Sequence, residues 1–440
     1  MSSSKVILFL TDGLDYCLVH RYLNDMPNTC RIIREGFHGR ILPFTSTWGN
    51  INFDSLLTGT APGTHYRIED GAETLWQALE RDGRRTALID PGCRVETGDR
   101  VLKIACAGPA FTAYQCGPRV FQTPDVTDGI HDLAACNRSG WPPGGGPTPN
   151  RSIQLVHQPR RVGGVLQTHA TILDGVELCL TLDDNTITVH NHNRLIATAN
   201  TESWSDWTTI RHDAELFAIR FKLLHCHEAS FALQASSAFP LSKLAPTPTI
   251  RERLLDCLGP YFKGTAIPPR PDDPAWESGV SELFEQATWV VNAARIMLGE
   301  FDVDLVVHKN FIVDAANHQC AAQIDPTYHR YNPETAFAFD EVLHKSYTNF
   351  DRIVGQLLDV ASELGNTHVV IAGDHGICVN NWVCDINARL HDAGWLRFDS
   401  RGNVDEQGSK VFTKRSRQGN EIFINPSLAE EERDQLRRKV

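Results

Sequence analysis

The sequence predicts an α/β fold: a doubly wound, mostly parallel sheet flanked by helices, interrupted by an inserted β-rich cap. Three observations carry this. Short runs with an apolar centre, such as "KVILFL" (5–10), "RTALID" (85–90) and "THVVIAG" (367–373), have the character of buried parallel strands. Amphipathic segments such as "ETLWQALERDG" (73–83), which ends at a glycine, lie between such runs. The alternation stops in the middle of the chain and then resumes, so the core is discontinuous.

Taken in order, residues 1 to about 115 follow a strand–helix rhythm. From about 116 to 280 the rhythm breaks. "WPPGGGPTPN" (141–150) reads as a linker or mobile loop. "ATILDGVELCLTLDDNTITVHNHNRLIATA" (170–199) then alternates apolar and polar residues between turn signals, which is an antiparallel meander, and "HDAELFAIRFKLLHC" (212–226) continues it. From about 281 the α/β pattern returns: a helix in "SELFEQATWVVNAARIMLGEF", a strand in "VDLVVHKNFIV", a long helix in "FDEVLHKSYTNFDRIVGQLLDVASEL" and a strand in "THVVIAG". "EIFIN" reads as a last strand, and "LAEEERDQLRRKV" as a helix without a capping glycine, as in a chain cut within a larger domain. No internal repeat is visible.

Bulk properties narrow the function classes. The chain has 440 residues, 41% apolar and 22% charged, and a formal net charge of −12. No basic stripe offers a nucleic-acid surface. No run approaches the about 20 apolar residues of a membrane span, and the N-terminus lacks the longer apolar stretch of a secretory signal. The twelve cysteines form no CxxC pair and suit buried thiols in a reducing compartment. A cytoplasmic location is expected, and the "NRS" sequons at 137 and 150 then carry no meaning. "HNH" (190–192) and "HCH" (225–227) read as solvent-facing residues of polar strands rather than metal ligands.

The chemistry is expected where strands end. Asp12 follows "VILFLT"; Asp314 follows "VHKNFIV", with His318 four residues on; Asp374 and His375 follow "THVVIAG". In open α/β sheets, ligands bind beyond the carboxyl ends of strands. Carboxylates and imidazoles converging there suit zinc or a similar divalent ion. Two such ions would activate a nucleophile and steady a phosphoryl oxygen. Residues 1–115 and 281–440 are therefore expected to form a metal-binding core, with 116–280 as the cap. "LPFTSTWGNINFDSLLTG" (42–59) supplies Thr45, Ser46 and Thr47 ahead of a helix, where an anion is welcome. One of these hydroxyls is an activated nucleophile, or all three only cap the helix. Asn50 or Asn52 is placed either to donate to a phosphoryl oxygen or to serve the turn. Asp15 reads as a helix-start acid with a supporting role as the alternative, His308 as a satisfied core histidine, and the "WSDW" tryptophans as core or pocket lining.

These motifs resemble the alkaline phosphatase superfamily, in particular its type I phosphodiesterase/nucleotide pyrophosphatase branch. The matching stretches are "TDG" (11–13), "SLLTGTAPGTH" (55–65), "DAANH" (314–318), "FDRIVG" (350–355), "AGDHG" (372–376) and "VNNWVCDINARLHDAGWL". The resemblance implies an alkaline phosphatase-like core, a small phosphorylated substrate, and two Zn2+. Asp12, Asp374 and His375 would hold one ion, and Asp314 and His318 the other. It further implies a Thr or Ser that attacks phosphorus and forms a phospho-enzyme. The family spacing from the "TG" turn falls on Gly49; Thr47 is the candidate if the turn carries two extra residues, and "TWGN" (47–50) is spaced like the family's Thr-x-x-Asn. After His375 only His391 remains to complete the second site, and "HYR" replaces the usual "HG". Asp325 and His329 in "DPTYHRY" are a rival pair at the same spacing of four. The sulfatase signature is absent. The expected activity is metal-dependent hydrolysis of phosphoric esters, with diesters favoured. The alternatives are an inactive member that binds a phosphorylated ligand or partner, and a biosynthetic transfer enzyme using the same metals. Neither substrate nor oligomeric state is legible.

Overall fold

A computed structural model describes residues 4–42, 49–61, 68, 71–92, 98–106, 117–124, 126, 153–173, 175–183, 185–382, 385–413 and 422–439. Its central sheet has five parallel strands in the order Thr367–Gly373, Lys5–Thr11, Leu305–Asn310, Thr86–Ile89, Val101–Ile104. Helices cover both faces, as the apolar runs require. Ile7, Phe9, Ala87, Ile89 and Val306 share a core with the helices Trp276–Glu300 and Pro333–Leu364. Leu10, Leu88, Leu305 and Val307 point the other way, onto Phe53 and Leu57 of helix Gly49–Thr58 and Trp76 of helix Leu75–Arg81. The second of these helices starts with a capping box, Thr74 and Gln77 bonding each other's backbone N–H.

In sequence, sheets that are antiparallel but for the parallel pairing of Arg119–Gln122 with Ile153–Leu155 separate the first three strands of the parallel sheet from its last two. Five strands spanning Arg160–Ala199 form one sheet, while Thr208–His212, Glu215–Ile219 and Phe239–Pro240 form a second. Phe221–His227 and Ser230–Ala235 join Arg119–Gln122 and Ile153–Leu155 in a third. Their inward residues, among them Phe121, Leu180, Val189, Phe221 and Leu233, make a separate apolar core, as period-two alternation dictates. His225 and His227 face solvent. Residues 239–261 pack instead into the core beside the parallel sheet, through Phe239, Leu254 and Tyr261.

The described residues fall into two compact units, the second beginning at Asn380. That unit has its own core of Leu390, Leu396, Val411, Phe412 and Leu436, built from helix Ile386–Asp392, the hairpin strands Val411–Thr413 and Ile422–Ile424, and helix Glu430–Arg437. No described helix is long and apolar enough to cross a membrane.

One boundary differs from the sequence expectation. The strand in "VDLVVHKNFIV" stops at Asn310, and Asp314 opens the short helix Asp314–Cys320 instead of directly ending the strand. The cause is Asn310, whose Oδ1 accepts the Ile312 N–H at 3.0 Å and turns the chain.

His308 lies in the middle of the sheet, fully enclosed, its Nδ1 2.7 Å from the Ile89 carbonyl oxygen. Burial pushes its pKa down to about 4, against the opposing pull of Asp90 and the Ile89 carbonyl. The unfolded chain takes up this proton near pH 6.5 and the folded chain does not. The stability His308 allows is therefore complete above about pH 6.5 and falls as pH drops towards 4, by up to about 3 kcal/mol. Thermal melting across that window is expected to show a shallower decline for His308→Leu than for the parent.

Candidate metal centre

Strand register builds the site. Thr11 pairs with Gly373 on one side and Asn310 on the other, so Asp12 and Asp374 leave the sheet side by side. Asp12 N–H donates to the Asn310 carbonyl at 2.9 Å, which fixes its exit. Asp374 Oδ1 accepts from the backbone N–H of Gly13 (3.1 Å) and of His375 (3.0 Å). His375 Nδ1 lies 2.8 Å from the Gly376 carbonyl, which turns Nε2 towards the acids, 3.2 Å from Asp12 Oδ1 and 3.5 Å from Asp374 Oδ2. Among the described residues, Asp12, Asp374 and His375 are the one group whose three donor atoms lie within 4.8 Å of one another.

Asp314 and His318 stand beside this group. One helical turn brings Asp314 Oδ1 to 3.3 Å from His318 Nε2. Asp314 is buried and presses on Gly13, where an added Cβ would meet Asp314 Oδ1 at 2.7 Å. Gly13 also has φ +65°, so both space and backbone call for glycine. His318 opens to solvent, with 38% of its side chain exposed, and is within electrostatic reach of Asp12 and His375. Asp325 and His329 lie elsewhere: Asp325 accepts from the N–H and hydroxyl of Thr327, and exposed His329 packs on Tyr328. Thr47 and the side chain of Asn50 lie outside the described residues, as do Thr45, Ser46 and His65; Gly49 is the first residue of its helix. In the second unit, His391 packs tilted against Phe398.

The electrostatics are those of crowded acids. Burial raises the pKa of Asp374, and the neighbouring Asp12 raises it further. Burial acts in the same sense on Asp12, but His375 and Lys309 outweigh it and bring Asp12 low. Burial alone would lower His375; its hydrogen bond to Asp12 and the charge of Asp374 instead lift it to about 9. Asp374 Oδ2 and Asp314 Oδ1 are buried with no hydrogen-bond partner, each facing a histidine Nε2. Buried acceptors left without donors are costly. Carboxylate oxygens and imidazole nitrogens so placed fit a divalent ion of the zinc type.

Two supports were not legible as such. Lys309, one residue before its strand ends, puts Nζ 2.8 Å from Asp12 Oδ2. Asn317, between Asp314 and His318 of the motif, donates from Nδ2 to the Gly13 carbonyl at 2.6 Å and accepts from the Tyr347 hydroxyl at 3.3 Å. Asp15 makes the helix cap expected of it and one contact more. Its Oδ1 caps helix Tyr16–Tyr22 through Leu18 N–H (2.8 Å), and its Oδ2 accepts from Ile377 N–H (3.0 Å), tying down the loop that carries Asp374 and His375. Asp15→Ala is expected to cost about 1–2 kcal/mol as a lost cap and to weaken zinc binding about tenfold or more as a lost support. Melting and metal titration read the two effects separately; unchanged metal affinity would leave Asp15 a cap alone.

The fold and site define an α/β protein with an acid–histidine centre at the carboxyl edge of a parallel sheet. Residues 301–440 match the family model of type I phosphodiesterase / nucleotide pyrophosphatase, a family of the alkaline phosphatase superfamily. The resemblance read from the motifs is thus shown over about the last third of the chain, which includes Asp314, His318, Asp374 and His375. At family level the match supports phosphoric ester hydrolysis. No curated protein and no solved structure matches the chain.

Proposed function

We propose that the protein is a metal-dependent phosphoric ester hydrolase acting on diesters or nucleotide pyrophosphates. The observation that carries this is the meeting of Asp12, from the first strand, with Asp374 and His375, from the family-matched segment, as a three-donor group. Asp12, Asp374 and His375 would hold one Zn2+, and Asp314 and His318 would begin a second site. Bound there, such an ion supplies charge stabilisation to a phosphoryl group and acidifies a hydroxyl. The residues do the rest. Asp15 and Asn317 hold the two ligand-bearing loops in register. Helix Gly49–Thr58 reaches this neighbourhood through Phe53, whose ring lies 4.3 Å from Lys309 Nζ. Its N-terminal N–H groups favour an anion, and Thr47, two residues before its start, is the proposed nucleophile. The antiparallel segment is proposed as the cap that selects the leaving group, and the cytoplasm as the setting.

A second reading, a member that binds a phosphorylated ligand without turning it over, draws on Lys309: an ammonium already sits on Asp12. Zinc titration with a diester and monoester panel decides between them. Binding must displace the proton that His375 holds below about pH 9. Apparent zinc affinity is therefore expected to rise with pH, by up to about tenfold per unit for that one proton. Hydrolysis of diesters by the zinc-loaded chain, lost on chelation, supports the hydrolase. Zinc binding without turnover across the panel supports the binding protein, and no zinc binding at all sinks the metal reading.

A further inference from the structure

Three carboxylates, Asp12, Asp314 and Asp374, are buried within this small volume. Against them the sheet sets one lysine that is itself buried, Lys309, with a side chain only 3% exposed. A lysine on a sheet edge normally carries its ammonium to water; this one is held inward. Its stem runs so close to Gly92 that a Cβ there would meet Lys309 Cδ at 2.6 Å, and Gly92 has φ +70°. Its ammonium lies 4.3 Å from the Phe53 ring centroid and 4.9 Å from that of Phe311. Two aromatic faces, which attract cations, and a glycine notch therefore fix Nζ against Asp12 Oδ2 at 2.8 Å. The other oxygen, Oδ1, faces His375.

We propose that Lys309 is a built-in counter-ion of the metal centre: a positioning residue that holds Asp12 by Oδ2, leaves Oδ1 for the ion, and sets a ceiling on metal affinity. This rests on the metal reading of Asp12, Asp374 and His375. The fixed positive charge steadies the crowded acids in the metal-free protein and repels a divalent ion bound through the other oxygen of the same carboxylate. A residue that merely braced Asp12 would act in the opposite direction, because its loss would loosen a ligand and weaken binding. The sign of the effect therefore separates the two roles.

The test is zinc titration of the chelator-stripped full chain at neutral pH, by calorimetry and by competition with a chromophoric chelator. Lys309→Met is expected to bind the first zinc about tenfold or more tightly than the parent, since a unit charge a few ångström from the ion is removed. Lys309→Arg, which keeps the charge, should stay near the parent. The metal-free melting temperature of Lys309→Met should fall and zinc should restore it, widening the gap between the two states. Lys309→Gln serves as the neutral variant if the methionine form does not fold. A neutral variant that folds with zinc and binds it no more tightly than the parent overturns the proposal while leaving the metal reading standing. Absence of zinc binding by parent and variants alike overturns both.

Discussion

Asp374→Asn is expected to separate metal binding from stability more sharply than any other change in the centre. The amide keeps an oxygen for the N–H groups of Gly13 and His375 that Oδ1 now serves, and removes the charge that burial and Asp12 disfavour. Loss of a ligand's charge should lower zinc affinity by about 100-fold or more, exceeding the 10–100-fold typical of outer-shell changes, and take turnover with it. Without metal the variant should be at least as stable as the parent, because the mutual repulsion of Asp12 and Asp374 is gone. Melting with and without zinc, beside a zinc titration, checks both halves. A variant that binds zinc like the parent would mean that Asp374 is no ligand.

Thr47→Ala carries the other large expectation. If Thr47 attacks phosphorus, turnover should fall by about 10⁴-fold or more, the scale seen when a covalent nucleophile is removed, while zinc content and melting stay at the parent's level. The family's spacing points to Gly49, which has no side chain and is the first residue of helix Gly49–Thr58. Retained turnover in Thr47→Ala would remove it as nucleophile and favour a route without a phospho-enzyme. Trapping a phosphorylated Thr47 from the parent would be the positive counterpart.

How far the sequence spoke depends on the range of the interaction that decided each feature. The meander at 170–199 was plain because alternation is local: each residue's face follows from its neighbours. The parallel strands were plain as apolar runs, but their order was not. Nothing near Lys5–Thr11 tells that its partners are Leu305–Asn310 and Thr367–Gly373. The acids at strand ends were legible as a set, since Asp12, Asp314, Asp374 and two histidines recur at comparable places. Their grouping into three and two came from the family resemblance alone; the strand register is what sets Asp12 beside Asp374. Lys309 was missed because a lysine near a strand end ordinarily reaches solvent; the signal present was the polar "HKN" closing a strand that is paired on both sides. The strand's true end at Asn310 was hidden by the apolar "FIV" that follows, because a side-chain hydrogen bond, not hydrophobicity, turns the chain there.

The position of Lys5–Thr11 in the sheet has a consequence for biosynthesis. The strands that flank it are encoded about 300 and about 360 residues downstream. At a synthesis rate of about 5–20 residues per second, this apolar ribbon leaves the ribosome about 15–60 s before either neighbour exists. During that interval its backbone N–H and C=O groups are open to any other extended chain. Asp12, however well placed in the finished sheet, lacks the other two members of its three-donor group until translation has passed residue 375. The parallel sheet is thus committed to late closure: its oldest strand is completed by its youngest.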